Sequence, residues 1–152
     1  MRKGLTAVFA AGAVAGTLDI TFAYAFWALK ADVPALRIFQ SVATGLLGRA
    51  SFDGGAATAA LGLALHFAMA TAMAAAYALA ARQWRVLRER PLPLGAAYGV
   101  FLYTFMQFVV LPLSAAGHGS RDATWITLSV VVHMFLVGVP IAFLTRNAFA
   151  AK

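Results

Sequence analysis

Apolar residues run along the chain in four long blocks separated by short polar stretches. The blocks cover about residues 5–28, 54–81, 94–115 and 123–145. At ~1.5 Å per residue, each is long enough for a helix to cross the ~30 Å hydrocarbon core of a bilayer. The second block, GGAATAALGLALHFAMATAMAAAYALAA, contains no charged residue. Residues 30–53 are too polar to span, but 34–48 keep a helical spacing. There Leu36, Phe39, Ala43, Leu46 and Leu47 fall on one side, with Arg37, Gln40, Ser41 and Thr44 on the other. Pro34 suits a first helical turn. This pattern predicts an amphipathic helix lying in the membrane interface and touching the bundle without entering it. The expected fold is all-α: one membrane domain over residues 1–152, a four-helix bundle with a short interfacial helix between the first two spans.

Composition supports the pattern. The chain is 62% hydrophobic and only 11% charged, where soluble domains carry roughly a quarter charged residues. Such a chain cannot build a water-facing surface, so membrane lipids are its expected surroundings. It has no cysteine, which removes disulfides, thiolate metal sites and cysteine nucleophiles. The net charge of +7 does not point to nucleic acid, because the basic residues stand at the ends of apolar runs, where they serve topology and lipid headgroups. The first residues, MRKGLTAVFAAGAVAG, resemble a signal peptide. The apolar run continues through Phe26, too long for a cleaved signal, and reads as a retained first span.

Four spans place both termini on one side with the second loop. That side carries eight of the twelve basic residues (Arg2, Lys3, Arg82, Arg85, Arg88, Arg90, Arg146 and Lys152); the other carries Lys30, Arg37, Arg49 and Arg121. The bias predicts cytoplasmic termini. Trp84 then lies at the inner interface, with Trp27 and Trp125 at the outer one.

Small residues mark packing faces. Gly12-x-x-x-Gly16 in the first span, Gly62 in the second and Gly99 in the third allow close helix approach. These faces leave room for a homo-oligomer or a larger membrane complex. Gly62, His66, Met69, Met73 and Tyr77 follow one face of the second span, Gly99, Tyr103 and Gln107 one face of the third, and Ser129, His133 and Val137 one face of the fourth. Pro112 predicts a kink or an early end, and Pro140 a bend.

Each span also carries one strongly polar residue. Counted from the outer ends, His66 lies about 18 Å down, His133 about 15 Å, and Asp19 and Gln107 about 12 to 14 Å. The four share one slab, and polar groups at that depth turn inward to partners or water. Asp19, His66, Gln107 and His133 are therefore expected around a common cavity, with Asp19 meeting a histidine. Three readings stay open. Interhelical hydrogen bonds fix which faces meet, as in a non-catalytic scaffold or accessory subunit. A histidine beside a carboxylate serves a proton or ion path. His66 and His133 stand at similar depth on parallel spans, so they are geometrically able to act as axial haem ligands or, with a carboxylate, to hold a divalent metal. No cofactor motif is present, and Ser114 and Ser129 lack a nucleophile-elbow context, so no enzyme is expected.

The order of motifs resembles the YagU-like bacterial inner-membrane proteins. The resemblance rests on Gly12-x-x-x-Gly16, His66 followed eleven residues later by Tyr77, Gly95-x-x-x-Gly99, Pro112-Leu113 and His133. It covers the apolar spans but not the first loop. The family pattern has histidine where Gln107 stands and no acid at the Asp19 position. The resemblance implies a four-helix protein of the bacterial inner membrane, loosely associated with acid tolerance.

Overall fold

The computed structural model describes residues 2–149; Lys152, counted above, lies outside them. Four helices are long and apolar enough to span a membrane: α1 (Arg2–Ala31), α3 (Gly55–Gln83), α5 (Pro91–Leu113) and α6 (Ala123–Thr145). Two shorter helices join them, α2 (Ala35–Leu47) and α4 (Arg85–Glu89). No strand occurs among the described residues. Of residues 82–90, the second loop above, Arg82 and Gln83 extend α3 and Arg85–Glu89 fold into the one turn of α4. Its Arg85 pairs with Glu89 at 2.6 Å, and the Leu87 carbonyl accepts the Tyr77 hydroxyl at 3.0 Å.

Helix α6 is the hub, touching α1, α3 and α5, while α1 also packs along α3. The core is built from small residues and a few large ones: Ala11, Ala15, Ala74, Ala78, Ala81 and Ala142 with Tyr77, Leu102 and Ile141. Alanine removes bulk between backbones, which then approach closely enough for dispersion contacts to hold the helices. Large apolar side chains such as Phe9, Phe101, Phe108 and Phe135 point outward, forming a surface that hydrocarbon accommodates and water does not. Thr6, Thr104, Thr127 and Thr145 each donate a hydroxyl to the carbonyl four residues earlier. They satisfy themselves within their own helix and mark no site.

Glycines set the closest crossings. A side chain at Gly12 would collide with Thr71, and one at Gly16 with Phe67 and Ala70. Gly95, Gly99 and Gly138 interlock at the α5–α6 crossing, where Gly99 lies against the His133 carbonyl. Gly62 lies against the Phe39 carbonyl and seats α2 on α3.

Helix α2 corrects the expected orientation. Ile38, Gln40 and Ala43 are buried, whereas Leu36, Leu46 and Leu47 face outward. Gln40, expected on the polar side, is 1% exposed. Its amide donates to the Gly55 carbonyl at 3.1 Å and to Thr58 Oγ1 at 3.2 Å. These bonds satisfy the buried Gln40 amide and tie α2 to the first turn of α3. Gly48, at φ 58°, ends α2 and sends its N–H to the Thr44 carbonyl, a positive-φ conformation that glycine adopts without strain. The Ala115 N–H then bonds Gly45 O at 3.1 Å, tying α2 to the α5–α6 loop.

At the same end, Phe22, Phe26 and Trp27 of α1 cluster on Trp125 of α6. Lys30 pairs with Asp122, which caps α6 by accepting the Trp125 N–H at 2.8 Å. The hydrogen bond from Lys30, followed by that from Trp125, holds the Asp122 carboxyl below the usual carboxylate range. A carboxyl depressed on folding adds stability above its unfolded pKa of ~3.9, and that stability is lost as pH falls through the folded value. Asp122→Asn keeps a capping side chain but loses the charge. Thermal melts of both proteins between about pH 6 and 3 should show the wild-type advantage shrinking toward acid. An advantage that stays constant with pH contradicts this account.

Candidate functional site

The cavity between α1, α3, α5 and α6 collects residues from all four spans. Ala15, Gly16 and Asp19 come from α1, His66, Met69, Ala70 and Met73 from α3, Met106 from α5, and His133 and Val137 from α6. Its volume is about 70 Å³, room for a few waters or one desolvated ion.

His66 is 8% exposed. Its Nε2 lies 2.8 Å from the Gly16 carbonyl of α1. A carbonyl only accepts, so Nε2 carries the proton and Nδ1 is the nitrogen left for another partner. Gly16 makes this contact feasible, since a side chain there would meet the Phe67 ring and Ala70 of α3. His133 is held within its own helix: Nδ1 donates to the Ser129 carbonyl at 2.9 Å, which leaves Nε2 as the acceptor nitrogen. Asp19 Oδ1 stands 3.8 Å from His133 Nδ1. That is beyond a direct hydrogen bond and suits a bridging water. The Tyr103 ring meets the His133 ring edge-on at 5.4 Å. Ser129 Oγ is buried without a hydrogen-bond partner.

Two departures from α-helix shape the cavity wall. Helix α5 widens into a π-helical turn at Met106–Val110 and α6 into one at His133–Gly138. Each lies just before a proline, Pro112 or Pro140. Proline has no N–H for the carbonyl four residues back, and its ring crowds that carbonyl, so the turn opens. Both widened turns begin at a cavity residue, Met106 or His133, and turns of this kind recur at functional sites.

Of the four polar residues picked out in the sequence, Asp19, His66 and His133 line this cavity. Gln107 does not. It sits against Gly119 of the α5–α6 loop, where a side chain would meet its Oε1. At the start of the wider turn Met106, and not Gln107, takes the inward place. Met106 shares the Gly99–Tyr103 face, seven and three residues on, so helical spacing allows it there as well as Gln107. Met69 and Met73 were legible as the positions three and seven after His66.

Comparison with known protein families, curated proteins and solved structures finds no match. The site therefore rests on its own geometry. No group of three or more histidine, aspartate or glutamate side chains is placed to hold a metal among the described residues. A porphyrin ligated by His66 and His133 needs a pocket of about 300 Å³ or more, so the helices would have to part to admit one.

Proposed function

We propose that the chain is a small four-span protein of the bacterial inner membrane that carries a cation through the Asp19–His66–His133 cavity. The supporting observation is that an acidic side chain and two histidines from three different spans line one small internal space. A carboxylate at that depth is costly unless it is paired or hydrated. Packing alone has no need of one, since alanine and glycine already bring these helices together. With Asp19 in the wall, the cavity offers a counter-charge to a passing cation and two imidazoles as neutral donors.

The orientation follows from the basic residues, with both termini in the cytoplasm and α2 outside. A reporter fused after residue 152 should be active only as a cytoplasmic reporter; activity of a periplasmic reporter there reverses the orientation.

Proteoliposomes test transport directly. Cation entry, followed with proton- and metal-sensitive dyes trapped inside, should fall at least about tenfold for Asp19→Asn, which removes ~1.4 kcal/mol or more of site stabilisation. The variant should still elute and melt as a folded protein. Equal flux in wild type, variant and empty liposomes excludes transport and leaves the cavity a packing feature of a scaffold.

A further inference from the structure

The cavity wall carries a second chemistry beside its imidazoles. Three of the chain's five methionines, Met69, Met73 and Met106, line it. Methionine commonly fills irregular gaps in apolar cores. Here three methionines, two histidines and an aspartate line one space of about 70 Å³. Each histidine also has one ring nitrogen engaged with a backbone carbonyl, at 2.8 Å for His66 and 2.9 Å for His133. Metal-ligating histidines almost always show this second contact, which fixes the ring and leaves the other nitrogen to coordinate.

We propose that this cavity binds one soft monovalent metal cation of the cuprous type, held by thioether sulfurs of Met69, Met73 and Met106 with imidazole nitrogen from His66 or His133. The inference names the cargo of the cation site proposed above and rests on that reading for its role in transport. Thioethers select soft ions, whereas magnesium, calcium and manganese prefer oxygen ligands. Charge favours the same choice. Thioethers and neutral imidazoles bring no charge, and Asp19 brings one negative charge near His133. A monovalent ion leaves the buried site neutral, while a divalent ion leaves an unbalanced charge in a low-dielectric space. The widened turns at Met106 and His133 give two of the walls backbone freedom to adjust around an ion.

Silver(I), a redox-inert probe for the same ligands, tests the site in purified full-length protein in detergent. Isothermal titration should show one high-affinity silver ion per chain. Met106→Leu should weaken it at least tenfold, and the Met69→Leu/Met73→Leu/Met106→Leu variant should abolish it. NMR of wild-type protein carrying 13C-methyl methionine covers the event that the triple variant does not fold. Silver should shift the ε-methyl signals of Met69, Met73 and Met106 and spare that of Met134, which lies outside the cavity wall. Absence of stoichiometric binding, or a Met134 shift as large as the others, overturns the proposal. Silver binding without flux in proteoliposomes supports the site and refutes transport. Flux of other cations without silver binding does the reverse.

Discussion

Alanine at Gly99 is expected to destabilise the protein by about 1–3 kcal/mol, the usual range for overpacking a filled interior, and leucine to prevent assembly of α5 on α6. The added Cβ would fall on the backbone of His133 and Met134, which cannot rotate away as a flexible side chain does. Relief requires the two helices to separate along their whole crossing, where Gly95 and Gly138 interlock as well. The same shift would displace His133 and open the cavity, so silver binding should fall together with stability. Gly45→Ala is the control. Nothing lies within 4 Å of a side chain there, and alanine in a helix interior is favoured over glycine by roughly 0.5–1 kcal/mol. Melting curves in detergent should therefore move in opposite directions for the two substitutions. A Gly99→Ala protein as stable as wild type contradicts the close crossing.

Gly62→Leu should have a large but local effect. Gly62 receives the Phe39 carbonyl and the Ala43 amide of α2, so a side chain there lifts α2 off α3 while the four spans keep their contacts. Gln40 would lose its bonds to Gly55 and Thr58, and with them the polar link between α2 and the first turn of α3. The chain has no cysteine, so a single Ile38→Cys reports on the buried side of α2. Overpacking of 1–3 kcal/mol corresponds to a rise in maleimide labelling of about 5- to 150-fold. The elution volume should not change. Unchanged labelling means that α2 is held by contacts other than the Gly62 crossing.

Both substitutions act on contacts that pattern alone locates only in part. The four long helices were legible because length and apolarity are written in consecutive residues. The expected span at 123–145 coincides with α6 (Ala123–Thr145), and the others differ by a few residues at their ends. Ends are less legible, since α1 begins at Arg2 and runs to Ala31, with hydrogen bonding continuing through Lys30 at the polar boundary. Helix α2 was legible as a helix but not in its rotation. Amphipathic spacing assigns the apolar side inward, which assumes an apolar surface to receive it. Here the receiving surface is the start of α3, where the Gly55 carbonyl and the Thr58 hydroxyl accept the Gln40 amide, and that favours Gln40 inside and leucine outside.

The sequence by itself determined that this chain forms four apolar helices, and which polar residues lie at similar depths along them. Depth follows from counting residues along a helix of constant rise. Facing does not, because it depends on how each helix is rotated against its neighbours and on whether its turns stay regular. Tertiary structure alone brought Asp19 near His133, set His66 on the Gly16 carbonyl, turned Gln107 to Gly119 and put Met106 in its place. The physical cause is that glycine crossings set the helix rotations, while Pro112 and Pro140 open the turns before them. Both effects arise between or across helical turns, beyond the reach of a fixed period.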